Sequence, residues 1–215
     1  MGSGMTNLGN AYPAPRPPLT KFVPVLFLFF GGYFCFHYPY FTFIYQYALF
    51  VLLLNLVTLL YDKNLLTAAR LFTFQSRMRE AGALAVVFGA LVGVLFLISS
   101  LKKTPLMYGF YRASSPLSGG ELMLVLLLVV IPFEEVFFRG YLQYHLSHLV
   151  GGKAGFACSS LLFGLFFVMA GGKWTFAVFL VAGFYFGYLY MRTSSVVFVA
   201  ALRSFLVLLS GLLTF

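Results

Sequence analysis

Charged residues are scarce in this chain. Of its 215 residues, 9% are charged and only five are acidic, whereas 61% are hydrophobic. A soluble domain has roughly 25% charged residues, so this sequence cannot cover a water-facing surface of matching size. The composition therefore excludes an ordinary soluble globular protein and predicts an integral membrane protein whose apolar surface faces lipid.

Cysteine and histidine, the usual soft metal ligands, are also rare. The chain has two cysteines, Cys35 and Cys158, and three histidines. Both cysteines lie inside apolar stretches, where we expect buried and unreactive thiols. His145 and His148 are spaced to share one helix face and could bind a metal together, but we favour a pair of interfacial side chains at a helix end. The sequence predicts neither a metal site nor a cofactor.

The net charge of +9 arises mostly from short connectors between apolar runs. This pattern is typical of topology control, with the lipid bilayer and its anionic headgroups as partners, and it does not favour nucleic acid. Eight basic residues against four favour a cytoplasmic N-terminus. The eight are Arg16, Lys21, Lys63, Arg70, Arg77, Arg79, Lys153 and Arg192, and the four are Lys102, Lys103, Arg112 and Lys173.

Apolar segments long enough to cross a bilayer recur along the chain. They predict an all-α, polytopic transmembrane helix bundle of about seven spans, with Pro132 kinking the fourth. The predicted spans are 22–36, 40–61, 81–101, 121–149, 154–170, 174–191 and 195–214.

The same pattern predicts three parts of the chain. An extended, proline-rich arm covers 1–20, and N-terminal transmembrane helices cover 21–120. Within the second part, an amphipathic segment near 65–78 is expected to lie in the membrane interface. The third part, 121–215, is the core that holds the unusual charges.

Three of those charges lie in the fourth span, where Glu134, Glu135 and Arg139 stand among apolar residues. An ionisable group near the bilayer centre costs at least about 2.5–3.5 kcal/mol. Glu135 and Arg139 are four residues apart and can pair, whereas Glu134 points about 100° away and needs another partner. Arg203, in the last span, is a further buried cation. The charges alone are compatible with an ion-pair network or with a hydrolytic site in which a glutamate activates water.

The pattern Glu-Glu-x-x-x-Arg on a proline-containing membrane helix resembles the first motif of the CPBP intramembrane proteases, also called the CAAX-protease and bacteriocin-processing, or Abi, family. Residues 162–167 and 187–195 resemble the second motif and the run that leads into the third. The resemblance covers about 121–214 and implies a four-helix core. It implies that Glu134, Glu135 and Arg139 match catalytic positions.

The other motifs depart from the family pattern. The resemblance implies histidines at the positions of Phe167 and Arg203 and an asparagine at the position of Val207. Phenylalanine and valine supply neither a metal ligand nor a hydrogen bond, and arginine supplies only donors. We expect the Arg203 guanidinium to pair with Glu134 or Glu135 as a structural clamp.

Two functions follow as hypotheses. The favoured one is a non-catalytic pseudoprotease that acts as a binding or scaffold subunit beside other membrane proteins. The alternative is an active intramembrane endopeptidase that uses Glu134 or Glu135 to activate water and cuts a membrane-associated peptide. A transporter is less well supported, because the charges cluster on one helix and the spans show no paired repeat. We expect the chain in a bacterial inner membrane.

Overall fold

The structure is a computed structural model and describes residues 19–38, 43–66 and 118–212. Within these ranges every regular element is a helix, which confirms the predicted all-α class. A short 3₁₀ turn, Leu19–Phe22, leads into α1, Val23–His37, and α2 is Phe43–Tyr61. A continuous helix from 119 to 150 is α3, followed by α4, Gly152–Thr193, and α5, Val196–Leu212.

Within the described ranges, four helical segments are long and apolar enough to cross a membrane, and a shorter apolar helix occupies Val196–Leu209. They correspond to the predicted first, second, fifth and sixth spans, and α3 and α5 occupy the predicted fourth and seventh. The predicted span at 81–101 lies outside the described residues, as does most of the amphipathic segment at 65–78. The four segments are Thr20–His37, Phe43–Tyr61, Gly152–Met169 and Phe176–Thr193.

Helix α1 packs closely because two of its residues lack a side chain. A Cβ added to Gly31 would lie 2.5 Å from the Phe50 ring of α2, and one added to Gly32 would overlap the Phe166 ring of α4. These glycines therefore allow α1 to approach both neighbours at a distance that alanine would prevent.

Helix α3 begins with a capping box. The Ser118 hydroxyl accepts from the Glu121 N–H, and the Glu121 carboxylate accepts from the Ser118 N–H. The helix then changes geometry twice. It is α-helical over Gly119–Val125, π-helical over Leu126–Val130, α-helical over Ile131–Glu135, π-helical over Val136–Gln143 and α-helical over Tyr144–Val150.

Pro132 lies directly after the first π-helical segment. The Ile131 N–H donates to the Leu126 carbonyl five residues back, which is the wider π spacing. Proline has no N–H and crowds the carbonyl four residues before it, so a local widening accommodates it inside a long helix. Asn55 of α2 donates its side-chain amide to the Phe133 carbonyl at 2.9 Å, which ties α2 to this part of α3.

Helix α4 folds back on itself. The Ser160 hydroxyl donates to the Gly183 carbonyl at 3.0 Å, although 23 residues of straight helix would separate them by about 35 Å. The Phe167 and Phe179 rings also stack with centroids 3.7 Å apart. Gly152–Met169 and Phe176–Thr193 are therefore two packed antiparallel arms, as the two predicted spans required.

The ends of several helices meet at one end of the bundle. Lys21, just before α1, donates to the Tyr61 carbonyl at the end of α2, and Tyr141 near the end of α3 donates to the Lys21 carbonyl. Because α4 folds back, Lys153 at its start and Arg192 at its finish lie towards this same end.

One expectation about the cysteines was wrong. Cys35 is buried, but Cys158 is exposed on the first arm of α4. The apolar sequence around Cys158 reflects a lipid-facing helix surface rather than a protein interior, a distinction that hydropathy alone does not make.

Candidate functional site

The three charged residues of α3 come together in the protein interior. Glu134 and Glu135 end the short α-helical segment Ile131–Glu135, and Arg139 follows in the second π-helical segment. Their side chains are at most 2% exposed. The Arg139 Nε lies 3.2 Å from the Glu135 Oε2, which confirms the expected pairing four residues apart.

Arg203 of α5 also contacts the two glutamates. Its Nη1 donates to the Glu135 Oε1 at 2.7 Å, and its Nη2 forms an ion pair with the Glu134 Oε2. The expected pairing with one carboxylate is therefore present with both. Since Arg203 is 1% exposed, the contact is made away from solvent.

Tyr47 of α2 is a member of this site that the sequence did not reveal. Its hydroxyl donates to the Glu134 Oε1, and the residue is fully buried. Its ring stacks on Phe166 with centroids 6.3 Å apart. Many aromatic residues line the apolar spans, so no signal in the sequence separates this tyrosine from the others.

Phe163 of α4 lies against both guanidinium groups. The Arg139 and Arg203 Cζ atoms are 5.3 and 5.2 Å from its ring centroid, within the range of cation–π attraction. The negative face of the ring attracts both cations and so offsets part of the repulsion between them. We refer to Glu134, Glu135, Arg139 and Arg203 as the charged cluster, and with all four groups ionised its charges sum to zero.

The remaining positions singled out by the resemblance are apolar and packed. Phe167 is fully buried between Phe179 and Phe163, and Val207 is 2% exposed one turn beyond Arg203 on α5. Neither side chain can donate a hydrogen bond or bind a metal. Arg203 is therefore the only one of these three positions that makes a polar contact with the glutamates.

Three of the four carboxylate oxygens of the cluster accept a hydrogen bond from the protein, and the fourth, the Glu134 Oε2, lies in an ion pair with the Arg203 Nη2. Arg139 and Arg203 each take one oxygen of Glu135, and Tyr47 and Arg203 each take one oxygen of Glu134. The cluster joins α3 to α5, and the Tyr47 hydroxyl adds α2. Chemically, the arrangement neutralises charge and cross-links helices, and its carboxylates are already engaged by protein donors.

The histidines near the end of α3 behave differently from each other. The His145 Nε2 lies 2.9 Å from the Asp62 Oδ2, and both residues are buried. His148 is exposed, and its Nδ1 donates to the Tyr144 carbonyl at 2.8 Å. The two histidines therefore lie in different environments, because Asp62 of the turn after α2 provides His145 with a buried partner.

Among residues 19–38, 43–66 and 118–212, no group of three or more His, Cys, Asp or Glu side chains is arranged to hold a metal ion.

A comparison with protein families finds a match in the C-terminal part of the chain. Residues 119–209 match the family model described as type II CAAX prenyl endopeptidase Rce1-like. The match confirms the predicted resemblance for the C-terminal segment that holds all four cluster residues, and it covers less than half of the chain. Tyr47 and Asp62 lie outside it. Neither the search of curated proteins nor the search of solved structures finds a match.

Proposed function

We propose that this protein is a non-catalytic relative of the type II CAAX prenyl endopeptidases and serves as a binding or scaffold subunit in a membrane complex. The observation that carries the proposal is the contact of Arg203 with both glutamates. At this position the family resemblance implies a histidine. A guanidinium there holds the carboxylates in ion pairs and supplies no acceptor for catalysis.

Loss of the other polar positions supports the same proposal. Phe167 and Val207 replace a histidine and an asparagine in the family pattern, and both are packed into apolar surroundings. Removing one oxyanion donor from an enzyme typically costs about 10²–10³ in rate. Two such losses beside neutralised carboxylates favour a protein that keeps the fold without the chemistry.

A second candidate is an active endopeptidase that cleaves a membrane-associated, prenylated peptide. It is favoured by the retention of Glu134, Glu135 and Arg139 in the first family motif. In this case water would have to reach Glu134 or Glu135 through closely packed helices, and Arg203 would have to serve as the oxyanion donor.

The proposed setting is a bacterial inner membrane with the N-terminus in the cytoplasm. The end of the bundle where Lys21, Lys153 and Arg192 lie would then face anionic headgroups on the cytoplasmic side. The proposed partners are the lipid bilayer and other membrane-protein subunits, without nucleic acid. Reporter domains fused to each terminus test the orientation, because the side of the membrane on which each reporter is active in intact cells shows where that terminus lies.

A cleavage assay separates the two candidates. The full chain in lipid nanodiscs is incubated with a farnesylated CAAX peptide, beside an active type II CAAX endopeptidase that shows the substrate is competent. We expect no cleavage above that of the Glu134→Ala and Glu135→Ala variants. Cleavage by the unaltered chain that either substitution abolishes would overturn the non-catalytic proposal.

The scaffold role has its own test. Mild extraction from native membranes, followed by affinity purification and quantitative mass spectrometry, should recover membrane subunits in fixed stoichiometry with this chain. Recovery of the chain alone in repeated extractions would contradict a role as a complex subunit.

A further inference from the structure

Arg139 uses only part of its hydrogen-bonding capacity in the charged cluster. Its Nε faces Glu135, while Nη1 and Nη2 are buried and have no hydrogen-bond partner among the residues that the structure describes. A guanidinium has five N–H donors, and four of them are on these two nitrogens. Leaving buried donors unpaired is costly, so this edge of Arg139 requires an acceptor.

An unpaired acceptor lies one turn further along the same helix. Gln143 donates its Nε2 to the Gly187 carbonyl of α4 at 3.0 Å, and its Oε1 is buried without a hydrogen-bond partner in the described part of the chain. Arg139 and Gln143 both belong to the π-helical segment Val136–Gln143. Residues four apart share one face of such a helix, so the unused donors and the unused acceptor belong to the same side of α3.

We infer that the outer edge of the Arg139 guanidinium and the Gln143 amide oxygen form a binding site for a buried water molecule between α3 and the second arm of α4. Water accepts from a guanidinium N–H and donates to an amide oxygen, so it complements both groups. Buried waters typically make about three such bonds to polar groups that otherwise lack partners.

Charge and space favour water over larger or charged ligands. The charged cluster already sums to zero, so an anion at Arg139 would leave a net charge inside the helix bundle, which is costly. Packing nearby is close, since a Cβ on Gly187 would lie 3.0 Å from the Phe156 ring. The inference is independent of catalysis, because it rests on unpaired groups that are present whether or not the protein cleaves a peptide.

A structure of the full chain in nanodiscs, at a resolution that shows ordered solvent, tests the site. We expect a solvent peak within about 2.7–3.2 Å of an Arg139 Nη and of the Gln143 Oε1. A direct hydrogen bond from Arg139 to Gln143 or to another protein acceptor would overturn the inference, and so would the absence of a peak at well-ordered side chains.

A pair of matched variants supplies the control. Gln143→Leu should remove the peak, whereas Gln46→Leu, at another glutamine that donates to a backbone carbonyl, should leave it in place. A peak that persists unchanged in Gln143→Leu would contradict the role of the amide oxygen. If Gln143→Leu does not fold, the peak in the unaltered chain and in Gln46→Leu decides the question.

Discussion

In the part of the chain that the structure describes, two buried ionic contacts hold α3 to the rest of the bundle, and they differ in how they are built. The charged cluster lies near the middle of α3 and joins two carboxylates to the guanidinium groups of Arg139 and Arg203. The second contact lies near the end of α3 and joins His145 to Asp62. One contact combines two carboxylates with two guanidinium groups, and the other combines a carboxylate with an imidazole ring.

The difference shows how the surroundings determine the form of an ionic contact. In the interior, water does not solvate a charge and an unpaired charge is very costly, so every member of the cluster contacts at least one group of opposite charge. Near the end of α3, a carboxylate and an imidazole lie together. Asp62 also accepts from the Asn64 N–H at 3.1 Å, so local turn geometry helps to hold it.

Of the substitutions that test this comparison, removal of Arg203 should reduce stability the most. We expect Arg203→Met to lower the free energy of unfolding by about 3–5 kcal/mol, because Glu134 loses its cation and Glu135 loses one of two. Unfolding in mixed detergent micelles measures the loss. The matched control is Arg192→Met, where a part-buried arginine donates to the Tyr188 hydroxyl, and there we expect less than about 1 kcal/mol. Equal effects at the two arginines would contradict the account.

The two glutamates can also be compared with each other by their contributions to stability. Glu135 contacts two guanidinium groups, whereas Glu134 contacts one and a tyrosine hydroxyl. We therefore expect Glu135→Gln to destabilise the protein more than Glu134→Gln, by about 1 kcal/mol or more, since bonds to charged groups are the stronger kind. The same unfolding measurement compares them, and the reverse order would show that the contacts of Glu134 matter more.

The pair at the end of α3 should be less costly to break. We expect Asp62→Asn to reduce stability by about 1.5–3 kcal/mol, because the side chain keeps its size but loses a charged hydrogen bond to His145. In a His145→Gln background the same substitution should cost less, since the partner is already gone. An Asp62→Asn effect that equals or exceeds that of Arg203→Met would reverse the proposed ranking of the two contacts.

The smallest expected effect concerns Tyr47. Tyr47→Phe keeps the stacked ring and removes only the hydroxyl that donates to Glu134, so we expect a loss of about 0.5–1.5 kcal/mol. Tyr33→Phe, at an exposed position on α1, is the control and should be neutral. A neutral Tyr47→Phe would mean that the hydroxyl adds nothing to the cluster.

The sequence predicted most of what depends on patterns within one helix. The lengths of the apolar segments predicted the described spans. The four-residue helical spacing predicted the pairing of Glu135 with Arg139. The family resemblance directed attention to Arg203, because it placed a cation where a histidine was implied. These features follow from local periodicity or from motif positions, which a single chain displays directly.

Contacts between distant helices were not predictable in the same way. Tyr47 is 87 residues from Glu134 and Asp62 is 83 residues from His145, and only the packing of the bundle brings them together. The π-helical segments of α3 also have no simple sequence signature beyond Pro132. Hydropathy gave the wrong environment for Cys158, since apolar sequence occurs both in the core and on lipid-facing surfaces.

The most direct test of the structural clamp is a double-mutant cycle between Glu135 and Arg203. The free energy of unfolding is measured for the unaltered chain, Glu135→Gln, Arg203→Met and the double variant. If the cluster is a mutually neutralising network, the double variant should be more stable than the sum of the single losses implies, with a coupling of about 1 kcal/mol or more. Losses that add to within about 0.5 kcal/mol would contradict the account, because they would mean that Arg203 and Glu135 act independently.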